Sequence, residues 1–135
     1  EQLLALANIV CIHVPLNEET HHLIDTEALS RMQKGAYLIN ASRGPVVDER
    51  ALIAALESAH LGGAGLDVFE QEPTLADNPL RRMENVFFSP HVGGATLEAE
   101  ARVVEVVRDN LTRVLDGEEP SNVVNGVRLG ARLRR

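Results

Sequence analysis

Four short apolar runs, separated by stretches with helical spacing, restrict the possible fold more than any other feature of this chain. The runs are NIVCIHV (residues 8–14), AYLIN (36–40), AGLDVF (64–69) and NVFFS (85–89). Each has the length and the β-branched or aromatic content of a strand, and the first, closed by Pro15, reads as a strand buried on both faces, with Cys11 as a core thiol. Between the first two runs, DTEALSRMQ (25–33) puts Ala28, Leu29 and Met32 on one helical face. Its acidic first turn and the Lys34-Gly35 at its end match macrodipole and C-cap preferences. Asp48 can cap a further helix whose Leu52, Ile53 and Leu56 face the core before Gly62-Gly63 ends it. Leu97, Ala101, Val104, Val107, Leu111 and Val114 recur at three- and four-residue intervals, which predicts one long helix from 96 to about 116 with a stripe that needs a packing partner. Strands alternating with helices predict an α/β fold with a parallel sheet and right-handed crossovers, since no Asn-Gly or Asp-Gly turn of a tight hairpin lies between any two of the four runs.

With 135 residues, 44% of them hydrophobic and 24% charged, the chain can form one soluble domain with a real core, and this composition argues against disorder over most of it. Twenty acidic against 13 basic residues give a net charge of -7. That balance repels nucleic acid and acidic membrane surfaces and favours a small-molecule ligand. A lone cysteine rules out a disulfide framework and fits a reduced, cytoplasmic setting. No run approaches the roughly 20 apolar residues of a membrane span, and no basic-then-apolar leader is present. The chain opens on Glu1 within an apolar stretch, as a part of something larger would. The terminal RLGARLRR (128–135) reads as a solvated end.

Parallel strands bring all the loops leaving their carboxyl ends to one edge, where ligands bind. Arg43, Glu72 and His91 each follow a strand-like run in a turn rich in Gly or Pro, so they are the first candidates for chemistry. Arg43, in NASRGPVVD, stands on a turn stiffened by Pro45, and its planar fork suits the carboxylate of an α-keto or α-hydroxy acid. A surface arginine in a βα turn is the bland alternative, and this segment alone does not decide between the two. His91, between Pro90 and Val92-Gly93-Gly94, can give and take a proton near neutral pH. Glu72, in FEQEP, can accept from the other ring nitrogen and fix the tautomer. Taken singly, each reads more readily as a solvated carboxylate or a histidine satisfied by backbone. Asp67 ends an apolar run, where a carboxylate needs donors that a ligand's carboxamide or hydroxyl can supply. His13 suits either packing or contact with a flat ligand face. His21 and His22 are adjacent and lack a second ligand pair, so no metal is predicted. No GxGxxG, Walker loop or Gly-x-Ser-x-Gly elbow occurs, which leaves carbonyl reduction with an added hydride carrier as the chemistry that fits.

The segments NASRGPVVDERAL, GAGLDVFEQEP and SPHVGGAT, in this order and spacing, resemble the D-isomer-specific 2-hydroxyacid dehydrogenases, among them phosphoglycerate dehydrogenase and glyoxylate or hydroxypyruvate reductase. The likeness runs from about residue 3 to 125 and takes in HVPLNEETHHLID and SNVVN. It implies the second half of a Rossmann-type, doubly wound dinucleotide domain over residues 1–117, with residues 118–135 returning toward a substrate domain. By the same resemblance Arg43 binds the substrate carboxylate and carbonyl, His91 is the proton donor, and Glu72, not Glu70, is its acidic partner. Asp67 then meets the nicotinamide carboxamide, and His13, Val14, Pro15, Ala41, Ser42, Arg43, His91, Gly93 and Gly94 are cofactor contacts. The cofactor implied is NAD, with NADP open because the ribose-reading acidic residue is not in the sequence. The substrate is a small 2-hydroxy or 2-keto acid, and the whole protein is expected to be a cytoplasmic homodimer. Two rival readings stand beside this one: an NAD-binding transcriptional co-repressor of the same fold, and an inactive truncated dehydrogenase. Formate dehydrogenase fits less well, because its pattern carries glutamine where this chain has Glu72.

Overall fold

In the computed structural model, which describes residues 2–126, the chain divides into two units, residues 1–93 and residues 94–135. The first unit runs α1 (Gln2–Leu6), β1 (Ile9–Ile12), α2 (Thr26–Arg31), β2 (Tyr37–Asn40), α3 (Glu49–Glu57), β3 (Gly63–Leu66) and β4 (Val86–Phe88), with 3-10 turns at Gly44–Val46 and Pro79–Arg82. All four expected strands form, and they lie in the order β1-β2-β3-β4 with every pair parallel. Cys11, Ile39, Gly65 and Phe87 face one another across the sheet. This register brings the segments after β1, β2, β3 and β4 to a single edge.

Asp25 and Asp48 cap α2 and α3 by accepting from Ala28 N at 2.8 Å and Ala51 N at 3.0 Å. The two helices cover the face of the sheet that carries Val10, Ile12, Leu38, Ala64 and Leu66, and Leu29, Leu52, Leu56, Leu61 and Leu80 fill the space between. Each fully buried leucine contributes about 1.5–3 kcal/mol of transfer free energy, so this layer holds the unit together.

The other face differs from expectation. Strand β1 is buried on one side only: Val10 and Ile12 are covered, while Ile9 and Cys11 are exposed, so Cys11 is not a core thiol. Tyr37, Ile39 and Phe87 are exposed on the same face. Apolar composition on both faces signals two-sided cover, but α2 and α3 supply one side. Helix α3 also stops sooner than expected, at Ser58, because the amides of His60 and Leu61 both turn back to the Ala55 carbonyl at 3.0 and 3.1 Å. Gly63 instead opens β3, where a Cβ would come within 2.6 Å of the Asn85 carbonyl oxygen.

The second unit holds α4 (Leu97–Leu115), capped by Thr96, whose Oγ1 accepts from Ala99 N at 3.1 Å. Its stripe of Leu97, Val104, Val107 and Leu111 is exposed, and no residue of α4 is buried. The basic cluster at 128–135 lies outside the described residues.

Candidate active site

The edge is built outward from Asn40, the one buried polar residue among the described residues, 1% exposed at the end of β2. Its amide donates to the Arg43 carbonyl at 2.9 Å, and its Oδ1 accepts from the Ser42 amide at 3.1 Å. One side chain therefore shapes the whole turn that carries Arg43. Gly44 lets this turn lie flat on the next: a Cβ there would sit 1.8 Å from the Phe69 carbonyl oxygen. The backbone after β2 and the backbone after β3 are thus in direct contact.

Asp67, directly after β3, reaches across to the loop after β4. Its Oδ1 accepts from Ser89 Oγ at 2.5 Å and Val92 N at 2.9 Å, and its Oδ2 accepts from Gly93 N at 2.8 Å. Burial pushes this carboxyl up, but the bonds from Ser89, Val92 and Gly93, with His91 nearby, outweigh it and hold the group below the ordinary carboxylate range. The clamp grips the two amides that follow His91, whose φ of +55° is a left-handed conformation uncommon for a residue with a side chain.

Held this way, the His91 ring meets Glu72, with Nδ1 and Oε2 2.7 Å apart. The second oxygen of Glu72 accepts from Phe69 N at 2.9 Å, which ties the carboxylate to its own turn. The hydrogen bond to His91 is the chief reason the Glu72 carboxyl lies below its ordinary range, with burial opposing and the Phe69 amide assisting. The two side chains are 46% and 37% exposed, so solvent screening keeps the net stability of the pair near 0–1 kcal/mol. Its value is orientation: with Nδ1 committed to Glu72, Nε2 is the atom left to exchange a proton. Beside the pair is a cavity of about 520 Å³ lined by Asp67, Phe69, Glu72, Arg81, Phe88 and His91, among others.

The structure joins Glu72 and His91 and brings Asp67 within hydrogen-bond reach of the amides beside His91. It leaves the Arg43 guanidinium exposed, with Nη1 donating to its neighbour's carbonyl, Ser42 O, at 2.6 Å. His13, Val14 and Pro15 follow β1, Ala41 and Ser42 follow β2, and Gly93 follows β4, all at the same sheet edge, while Gly94 opens the second unit. Asp67 finds three donors in the chain itself, where the sequence pointed to a ligand. Asn40 and Ser89 were not singled out from sequence; a polar residue closing an apolar run was the available signal. Glu70 turns to His22 instead of His91, Oε1 to Nε2 at 2.7 Å. Among the described residues no three His, Cys, Asp or Glu side chains are grouped as a metal ion would need. No described helix is long and apolar enough to cross a membrane.

A dinucleotide's nicotinamide end fits the donor set at this edge. Asp67 Oδ2 accepts a single bond from the chain and retains capacity for a carboxamide N–H, and Gly93 keeps the backbone open there, since a Cβ would lie 2.9 Å from that same oxygen. The pyrophosphate end has no glycine-rich turn to bind it in this sequence.

Comparison with known proteins places this geometry. Residues 1–93 match the family model of the D-isomer specific 2-hydroxyacid dehydrogenase, NAD binding domain. The chain is 51% identical over 125 residues to a glyoxylate reductase of Thermofilum pendens, covering 93% of this chain and 37% of that protein. Among solved structures, the TT0316 protein from Thermus thermophilus superposes with a TM-score of 0.87 at 45% identity, over 91% of this chain and 39% of the other. An NAD-dependent formate dehydrogenase from Staphylococcus aureus in complex with NAD gives 0.82 at 40%, over 90% and 37%. The chain thus spans well under half the length of these relatives. It belongs to the D-isomer-specific 2-hydroxyacid dehydrogenase family, through that family's NAD-binding domain.

Proposed function

We propose that the whole protein containing this chain is an oxidoreductase that moves hydride between NAD and the α-carbon of a small 2-keto or D-2-hydroxy acid, with glyoxylate as the first substrate to try. The observation that carries this reading is the 2.7 Å contact between His91 Nδ1 and Glu72 Oε2 at the carboxyl edge of a parallel sheet. When bound, NAD supplies the hydride that no side chain can. The chain's own residues do the rest. His91 Nε2 gives its proton to the carbonyl oxygen in reduction and takes one from the hydroxyl in oxidation. Glu72 fixes the orientation of the ring through Nδ1. Arg43 swings from the Ser42 carbonyl to hold the substrate carboxylate in a bidentate fork. Asp67 accepts from the nicotinamide carboxamide, with His13, Val14, Pro15, Ala41, Ser42, Gly93 and Gly94 as further cofactor contacts. A carboxylate at position 72 favours a hydroxyacid over formate as substrate.

Residues 1–117 are read as the partial dinucleotide domain and 118–135 as the segment returning to a substrate domain. Homodimeric assembly and a cytoplasmic setting belong to the same proposal, supported by the family resemblance and by the lone cysteine. The test is His91→Gln in the whole enzyme, followed by NADH oxidation with glyoxylate. General acid–base catalysis contributes about 10²–10⁴-fold, so kcat is expected to fall by that factor while the Kd from NADH fluorescence titration changes far less, His91 being one of many cofactor contacts. Undiminished turnover would overturn the assignment.

A further inference from the structure

Two histidines of the first unit have left-handed backbone, His22 (φ +52°) and His91 (φ +55°), and each bonds a different glutamate of the same short turn. Glu72 takes His91, and Glu70 takes His22. Glu70 does more than pair with a ring. Its Oε1 also accepts from Glu49 N at 3.2 Å, its own amide donates to Glu49 Oε2 at 3.1 Å, and Glu49 Oε1 accepts from Asn78 Nδ2 at 2.7 Å. The bonds between Glu49 and Glu70 are reciprocal, each carboxylate capping the other's backbone. Glu49 is the first residue of α3, so Glu70 satisfies one of the amides that a helix start leaves without an intrahelical acceptor. His22 is anchored in turn to the strip after Arg43: its amide donates to Pro45 O at 2.8 Å, and Ile24 N donates to Val46 O at 3.0 Å.

We infer that His22, Glu49 and Glu70 are positioning residues, a latch that fixes the turn carrying Glu72 against the turn carrying Arg43. The inference rests on the dehydrogenase reading, in which Glu72 orients His91. An isolated surface ion pair would move nothing beyond itself. This one is different because it engages two backbone amides, a helix start and the flank of the Arg43 turn, only two residues from Glu72. Releasing Glu70 frees the turn, and the carboxylate of Glu72 then spends part of its time away from the imidazole.

The test uses the 135-residue chain, with carbon-13 carboxyl titration of Glu72 and the Nδ1–H proton resonance of His91 as readouts. In Glu70→Ala the Glu72 midpoint is expected to rise by about 0.5 pH unit or more toward the ordinary glutamate value, and the Nδ1–H resonance to broaden. The sign is diagnostic, since simple removal of a neighbouring negative charge would lower that midpoint. Glu70→Gln keeps an Oε1 acceptor and is expected to retain both signals. A Gln variant that behaves like Ala would overturn the hydrogen-bond basis of the latch. Should Glu70→Ala fail to fold, His22→Phe, which keeps the ring and removes Nε2, is expected to give the same rise and broadening. Unmoved Glu72 and His91 signals in a variant with a native amide spectrum would refute the latch. A wild-type chain without a lowered Glu72 midpoint would instead refute the Glu72–His91 pairing beneath it, and the latch with it.

Discussion

Replacing Asp67 by Asn changes no volume and removes one acceptor, which makes it the sharpest probe of how His91 is held. In the native chain Oδ1 serves Ser89 and Val92 while Oδ2 serves Gly93. An amide has one oxygen, so whichever way it is turned its NH₂ faces either the Gly93 or the Val92 amide, donor against donor, at a site where 2.8–2.9 Å bonds stood. A hydrogen bond to a charged group contributes about 1.5–3 kcal/mol net, and half-exposure of the site lowers this to about 1–2 kcal/mol. Val92 and Gly93 follow the strained His91 backbone directly, so the loss falls on the loop and not on the core. The assay is amide hydrogen exchange of the 135-residue chain. Protection at Val92 and Gly93 is expected to drop by roughly 5–30-fold, the factor that one or two kcal/mol represents, while Leu38 and Leu66 stay unchanged. A fall below about twofold at both amides would refute the view that Asp67 clamps this loop.

Two further perturbations test the contact between the turns and the charge state of the site. Gly44→Ala drives a Cβ to 1.8 Å from the Phe69 carbonyl oxygen, so the two turns must part; overpacking of this kind costs about 3 kcal/mol, and thermal melting is expected to drop by about 10 °C or more. An unchanged melting temperature would show that the turns are not in contact. Asp67 and Glu72 are both held below the ordinary carboxylate range. Groups with depressed folded-state values contribute stability that is present above the unfolded value and lost as pH falls through the folded one. The urea midpoint is therefore expected to be flat above about pH 5 and to fall from about pH 4 downward, less steeply in Glu72→Gln. Equal acid slopes would contradict the pairing of Glu72 with His91.

The sheet was legible because its signals are local and redundant. Asp25 and Asp48 each cap the helix that their sequence position predicts, and Leu29, Leu52 and Leu56 fall on the buried face, although α2 ends at Arg31 with Met32 at its C-cap, short of the Lys34-Gly35 expected to end it. Where reading went astray, a local pattern was asked to report a non-local fact. The run IVCI is apolar on both sides, and nothing in four residues tells how many layers cover them; only the placement of α2 and α3 shows that Val10 is inside and Cys11 is not. The end of α3 was misplaced for the opposite reason. Two adjacent glycines look like a stop, yet Gly63 is required by the close approach of Asn85, a strand neighbour more than twenty residues away.

The site shows the same division more sharply. Glu72 and His91 were readable as a pair because each sits in a turn after a strand, and parallel strands leave such turns nowhere else to go. The partners of Asp67 were not readable, since Ser89, Val92 and Gly93 meet it only through the β3–β4 pairing, and two of the three contacts are backbone amides that any residue provides. Arg43 marks the remaining boundary. Asn40 and Gly44 determine its backbone so tightly that the turn was predictable, but the guanidinium has a long, rotamer-rich stem and rests on the nearest carbonyl at hand. Such a contact costs little to exchange for a carboxylate, because both are hydrogen bonds to exposed oxygens and the carboxylate adds charge and a second acceptor. The clamp on His91 is therefore preorganised while the fork of Arg43 is not, and under the function proposed above it is the substrate carboxylate that would complete the arginine's geometry.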